Sequence, residues 1–335
     1  MKPTNLALFI LASSTTQVKA TYTVAGADSK TGQLGAGGCT CVDPDAGIQL
    51  FKFYKPTAGK GLLLAQAFPP DETTPNYNAI FNTADQLLQQ GEDPEVILTK
   101  ITDPTLDSGP SPFFEDVPVN EIRQYGCVDL QNRAAGYSGE GIGDLYDRLG
   151  MNASTVQDYD NSHETGQAGD IAYSAQGNSV SINTVPLLVE GFNANGGCDL
   201  ADRLFNSIVA VDDANNKARA ANENEDINFE GDVRCEIPGV GFGYPGLQAY
   251  LHVDDKDGNQ ILHIESLPEP GTNPYDEIRT KYAEWRAANP CPTGAGSATG
   301  ESQTVFEAGS SASFVRGGTV FLFVGLVITT SAWIF

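Results

Sequence analysis

The chain has 335 residues, with 43 Asp and Glu against 19 Lys and Arg and a formal net charge of -24. A surface so acidic repels nucleic acid and anionic membranes, so no nucleic-acid partner is expected. Six cysteines behind a secretory leader point to an oxidising compartment and to as many as three disulfides. Their spacing fits no zinc pattern, because Cys39-Thr40-Cys41 is too tight and the other four are scattered, so this reading assigns no metal and no cofactor.

Residues 1–20 read as a signal peptide: Lys2, an apolar run from Leu6 to Ala12, and the small-residue site Val18-Lys19-Ala20. Cleavage before Thr21 would make the mature chain begin Thr21-Tyr22-Thr23-Val24. From Thr21 to Ala27 the sequence is strand-like, and the turn cluster Asp28 to Gly32 leads into Gln33 to Gly38 as a hairpin. Ile48 to Tyr54 and Gly61 to Phe68 are two further strand candidates. Helical spacing follows at Ile80, Ala84, Leu87 and Leu88 within Tyr77 to Gln90, ended by Gly91, and Pro94 opens a second helix through Val96, Ile97 and Ile101.

A similar alternation then repeats. Ile122 to Val128 and Ala134 to Ser138 flank a turn at Asp129 to Arg133, and Ile171 to Gln176 is another strand. Val185 to Phe192 and Leu200 to Val211, the latter N-capped by Asp199, form a second helix pair. Leu247 to Val253 and Gln260 to Ile264 bracket Asp257-Gly258-Asn259, a hairpin signal that also accounts for the calcium-loop look of Asp254 to Asn259. The last helix has Asn273 as cap, Pro274 in its first turn, and Ile278, Tyr282 and Trp285 on one face. Gly239 to Gly243 lacks the strand-to-helix setting of a nucleotide loop and is expected to be a flexible loop.

Hairpins alternating with adjacent helix pairs imply an α+β fold, a four-layer αββα sandwich of two antiparallel sheets covered by helices, spanning residues 21–289. The acidic inserts Gly143 to Gly169 and Asp212 to Gly231 are expected as loops. The first carries the glycosylation sequon Asn152-Ala153-Ser154. Residues 290–313, rich in Gly, Ser, Thr and Ala, form a stalk, and residues 314–335 a hydrophobic tail. With Gly309-Ser310-Ser311-Ala312 upstream, this order reads as a GPI signal with Ser310 as attachment site; a tail-anchored helix is the alternative. Either end would place the protein on the secretory route to the cell surface or beyond.

Short motifs in a fixed order carry a resemblance. They are Thr21-Tyr22-Thr23-Val24 with Asp28, Thr31-Gly32 and Gly35; Gly59 and Gly61 before Gln66-Ala67; and Arg123-Gln124, Gly126 and Val128-Asp129. Asn132-Arg133, Tyr137-Ser138-Gly139, Tyr173 with Gln176-Gly177-Asn178, Asp232 with Arg234-Cys235, and Asn273-Pro274 with Glu277-Ile278 complete the series. Together, over about Thr21 to Trp285, they resemble the Ntn-hydrolase-like family called domain of unknown function 1028, in its secreted branch. The resemblance implies the N-terminal-nucleophile sandwich and a disulfide between Cys41 and Cys235, and it leaves the reaction open. Gln66, Gln176, Asp232 and Arg234 among the matched positions are the candidate substrate-binding residues, with a loop-fixing charge pair as the other reading of Asp232 and Arg234.

An N-terminal threonine holds a nucleophilic hydroxyl and, in its own amine, a base with an ordinary pKa of roughly 7.7 to 8.0. Such chemistry also needs an oxyanion donor and a cation that keeps the amine unprotonated. Asn178 is the candidate donor, or else the cap of its own turn, and Lys52 is the candidate cation, or else a solvated strand lysine. The three histidines have no sequence neighbours at metal-ligand spacing, which argues against a His-based metal site or triad. Two readings follow. The chain is either a hydrolase of a small amide or peptide-like substrate acting through Thr21, or a non-catalytic binding or structural module on the cell surface.

Overall fold

A computed structural model describes residues 20–42, 49–70, 76–112, 114–148, 159–194, 197–221, 235–237, 241–244, 246–269 and 272–291. Twelve strands and six α-helices fall among them, an α+β protein with two larger antiparallel sheets and one strand pair. The opening hairpin is present: β1 (Thr21–Asp28) turns into β2 (Leu34–Thr40). Asp28 holds the turn, its carboxylate accepting from the backbone N–H of Lys30 at 2.9 Å and from the Thr31 hydroxyl at 2.7 Å.

The expected strand from Ile48 to Tyr54 is corrected. Leu50–Phe53 is a 3-10 turn, in which the buried residues Leu50 and Phe53 recur at a spacing of three rather than two, and the short β3 (Tyr54–Thr57) begins only afterwards. Next come β4 (Gly61–Gln66), α1 (Tyr77–Gln90) and α2 (Pro94–Ile101). The punctuation between these helices works as the residues require. Gly91 stops α1 at φ 77°, and the Asp93 carboxylate caps α2 by accepting from Glu95 N–H at 3.0 Å. β5 (Gln124–Asp129) and β6 (Ala134–Ser138) complete the first half.

The first acidic insert is also corrected, since α3 (Gly141–Arg148) runs into its start and it holds a ten-residue strand, β7 (Tyr159–Ala168), paired with β8 (Ile171–Ser181). α4 (Thr184–Asn193) and α5 (Leu200–Ala221) follow; α5 runs through the start of the second insert, which is therefore helical to Ala221. Asp199 accepts from Asp202 N–H at 3.0 Å, as expected of a cap. In place of the expected flexible loop at Gly239 to Gly243, the backbone from 241 to 244 is a strand, β10 (Gly241–Tyr244), paired with β9 (Cys235–Ile237). β11 (Gln248–Asp254), β12 (Gln260–Ser266) and α6 (Pro274–Ala288), capped by Asn273, end the described chain.

The larger sheet has the order β12-β11-β2-β1-β8-β7 and the second β3-β4-β5-β6, with every neighbouring pair antiparallel. Strand alternation sends successive side chains to opposite faces, and the clusters follow this rule. Tyr22, Val24, Leu251 and Val253 pack with Leu204 and Ile208 of α5 and Ile278 of α6. From the other face Ala25, Ala27 and Leu34 meet Leu62, Leu64 and Val128 of the second sheet. Leu63, Ala65 and Cys127 turn the other way, onto Ile80, Leu88 and Ile97 of α1 and α2. α5 lies close over the β1–β2 hairpin because glycine leaves room for it. A Cβ on Gly35 would stand 2.7 Å from Leu204 Cδ1, and one on Gly26 would stand 2.6 Å from Leu200 Cδ1.

Cys198, at the start of α5, is bonded to Cys291 after α6, across a sequence separation of 93. Cys41 is disulfide-bonded, while the side chain of its expected partner Cys235 lies outside the described residues. Cys39 and Cys127 are buried thiols; burial raises that of Cys39 to about 12, so it stays protonated at neutral pH.

Candidate active site

Thr21 is the first residue of β1, a strand flanked on both sides within the larger sheet, and it is 7% exposed. The register places it directly opposite Asn178 on β8 and Thr40 on β2, and Thr40 directly opposite Gln248 on β11. Four polar residues thus form one row across four strands, Asn178, Thr21, Thr40 and Gln248, all buried. Each member is held by side-chain hydrogen bonds. Thr21 Oγ1 and Thr40 Oγ1 share a hydrogen bond of 2.7 Å, and Gln248 Oε1 accepts from Leu50 N–H at 3.1 Å while its Nε2 donates to Val42 O at 2.9 Å. Ala20, just ahead of the row, is 1% exposed, and its carbonyl accepts from Cys41 N–H at 2.8 Å and from the Thr40 hydroxyl at 3.3 Å.

Thr23, two residues further on the same face of β1, begins a second polar group that spans the two sheets. Its hydroxyl donates to Gln66 Oε1 of β4 at 2.6 Å and accepts from Gln176 Nε2 of β8 at 3.1 Å. Gln124 of β5 is the hub: Oε1 accepts from Gln66 and, at 3.2 Å, from Asn178 Nδ2. Its two Nε2 protons are shared among Ser138 Oγ at 2.7 Å, Gly177 O at 2.9 Å and Ser162 O at 3.0 Å. Thr23, Gln66, Gln124, Gln176 and Asn178 are each no more than 1% exposed, so every bond here replaces water. Gln176 Oε1 is the exception, a buried acceptor with no hydrogen-bond partner.

The structure therefore brings together four of the candidate residues, Thr21, Asn178, Gln66 and Gln176, joined by Thr23, Thr40 and Gln124. Lys52 is exposed on the 3-10 turn before β3 rather than on a strand. Asp232, Arg234, Asn152 and Ser310 lie outside the described residues. The four side chains of the row carry no charge at any working pH. A hydroxyl attacking from here would find hydrogen-bond donors in the row but no titrating base, a task left to the amine of Thr21 itself.

On the opposite face of β1 the Tyr22 hydroxyl meets that of Tyr275 at 2.5 Å, and burial pushes both phenols well above their ordinary range. Antiparallel register also pairs histidines that are far apart in sequence terms. His252 Nδ1 lies 3.1 Å from His263 Nδ1, and His252 Nε2 lies 2.8 Å from Asp254 Oδ1. The sequence gives these histidines no neighbours at metal-ligand spacing, and their pairing shows only once β11 and β12 are aligned at Asp257-Gly258-Asn259.

Comparison with family models finds no match, and comparison with curated proteins finds none. Among solved structures, the fold matches the crystal structure of protein SPO2555 from Silicibacter pomeroyi, described by the family model DUF1028, with a TM-score of 0.50. The match covers 80% of this chain and 86% of that one at 16% identity. At that identity the likeness is one of fold, and it is the fold to which the ordered motifs from Thr21 to Trp285 point.

Proposed function

We propose that the chain is a hydrolase of the N-terminal-nucleophile type, with the layers ordered helix, sheet, sheet, helix, acting on a small amide or peptide-like substrate at the cell surface. The observation that carries this reading is the buried row Asn178, Thr21, Thr40 and Gln248 at the head of β1. Removal of residues 1–20 would free the Thr21 amine beside its own hydroxyl. The hydroxyl would then attack a carbonyl carbon, the amine would take its proton and pass it to the leaving amine, and water would release the acyl group. The Asn178 amide, opposite Thr21 in the register, is the proposed oxyanion donor. Gln66 and Gln176 are proposed to line the substrate side, with Asp232 and Arg234 at its border. A GPI anchor at Ser310 or a tail helix, and a glycan on Asn152, complete the proposal for its location.

A second reading rests on Ala20. Its burial and its two accepted hydrogen bonds suit a chain that keeps the residue, and such a chain has an acylated Thr21 and serves as a non-catalytic surface module. Turnover separates the two readings. In a panel of simple amides, Thr21→Ala is expected to lose hydrolysis by at least about a thousandfold while melting at a similar temperature, the loss typical of removing an acyl-transfer nucleophile. Equal hydrolysis by the variant and the parent would remove Thr21 from the chemistry.

A further inference from the structure

The outer end of the Gln124 hub reaches a second hydroxyl–base pair. Ser138 is the last residue of β6, the edge strand of the second sheet, and His163 lies on β7, the edge strand of the larger one. Ser138 Oγ is 3.0 Å from His163 Nδ1 and accepts a hydrogen bond from Gln124 Nε2 at 2.7 Å. With Gln124 donating to one lone pair of Oγ, the Ser138 hydroxyl can donate to His163 Nδ1 in the tautomer protonated on Nε2, the arrangement a dyad uses. We infer that Ser138 and His163 form a nucleophile–base dyad, an acyl-transfer site separate from Thr21 and suited to carboxylic esters.

Three features beyond the contact favour this assignment over a plain tie between two strand edges. First, the His163 ring is seated on the backbone: a Cβ on Gly136 would stand 2.3 Å from Cδ2 and 2.7 Å from Cγ, so only glycine at that position lets the ring lie where it does. Second, burial of the face laid on Gly136 holds the imidazole below its ordinary 6.5, which keeps it neutral and able to accept a proton at neutral pH. Third, Ser138 ends a strand and is followed, after Gly139 and Glu140, by α3 from Gly141. N–H groups in the first turn of a helix have no acceptor within the helix and favour negative charge, so the start of α3, three residues on from Ser138, would supply donors to a tetrahedral oxyanion. The pair also sits at the surface, with Ser138 half-buried and His163 exposed, so a substrate can reach it.

The step balances without an added co-reactant. The Oγ–H bond breaks as Oγ bonds to the ester carbonyl carbon, and His163 Nδ1 takes the proton. The C–O bond to the leaving alcohol then breaks and His163 returns the proton to that oxygen. Water repeats both steps on the acyl-serine and releases the acid.

A fluorophosphonate tests the dyad without knowledge of the natural ester, since Oγ displaces fluoride from phosphorus by the same proton transfer. The secreted protein is expected to carry a phosphonyl group on Ser138, located by peptide mass spectrometry. His163→Ala is expected to slow labelling by at least about 100-fold, the usual worth of a positioned base, and Thr21→Ala to leave it unchanged. Ser138→Cys gives a second measurement, with the fold checked by thermal melting. Its alkylation by iodoacetamide should titrate well below the ordinary thiol value of about 8.5 and return to that value when His163→Ala is added. A lack of adduct on Ser138, labelling indifferent to His163, or an ordinary thiol titration in Ser138→Cys would each overturn the dyad. Loss of labelling in Thr21→Ala would overturn its separateness.

Discussion

At the scale of residues, the buried amides set the strictest terms. Gln124 satisfies Gln66, Asn178, Ser138 and two backbone carbonyls, so Gln124→Leu keeps the volume and strands several partners at once. A loss of about 2 to 4 kcal/mol is expected, from unpaired buried groups costing about 1 to 3 kcal/mol each with partial relaxation. Urea unfolding would measure it, with the exposed Gln90→Ala as the control expected within about 0.5 kcal/mol of the parent. A Gln124→Leu protein as stable as that control would mean the network is not formed.

Two histidines give the fold a pH dependence of definite sign. Burial lowers the pKa of His163, and burial together with the neighbouring His252 lowers that of His263, whose other neighbours are Asp254, Lys281 and the Phe51 ring. Below about 6.5 the unfolded chain then binds protons that the folded chain refuses, so stability is full above that pH and falls as the pH drops toward the lower folded-state values. Carboxylates with lowered pKa values, such as Glu277 held by Lys281 and Ser266, act at still lower pH. Melting temperatures between pH 7 and 5 should decline, and the decline should be shallower in His263→Gln. A flat profile would contradict the burial assigned to these rings.

At the scale of elements, the chain announces its boundaries well where one residue type has one job. Gly91, Asp93 with Pro94, Asn273 with Pro274, and Asp257-Gly258-Asn259 all stand at the ends they signal. What the pattern hides is structure lacking an apolar signature. β7 is an edge strand of mostly polar residues, and the end of α5 carries Asp212, Asp213, Asn215 and Asn216 along its turns, so neither shows a continuous hydrophobic face. Asp212 is nonetheless buried, its carboxylate accepting from Asn273 Nδ2 at 3.0 Å and Arg279 Nη2 at 2.9 Å. The 3-10 turn at Leu50–Phe53 hides because a spacing of three over four residues looks like a strand with one skip.

The Cys198–Cys291 bond ties the end of the last helix to the start of α5, across a sequence separation of 93. Cys198→Ser with Cys291→Ser is expected to cost about 2 to 4 kcal/mol, mainly by releasing the unfolded chain. Arg286 pairs with Asp199 at 2.7 Å and with Asp202 at 2.9 Å, which should hold α6 in place after the bond is gone. Calorimetry would therefore show a single lowered transition; separate melting of α6 would contradict that division of labour.

At the scale of the whole molecule, the sequence disclosed the hairpin-and-helix-pair plan and the fold now shared with a solved structure, because periodicity and turn chemistry are local. Thr21, Gln66, Gln176 and Asn178 were legible as candidates through the ordered motifs. Their partners Thr40, Gln124, Ser138 and His163 were not legible as site residues, since what joins them is strand register and the packing of one sheet on the other, neither of which is a property of a single strand. A net charge of -24 is consistent with a secreted surface protein and carries no information about which buried hydroxyl reacts.

The Thr21 chemistry depends on where the mature chain begins. N-terminal sequencing of the purified secreted protein, with intact mass as a check, tests this most directly. The expected result is Thr-Tyr-Thr-Val from Thr21 with an unmodified amine; Ala20 or any earlier residue retained ahead of it, or a blocked Thr21, would contradict the account.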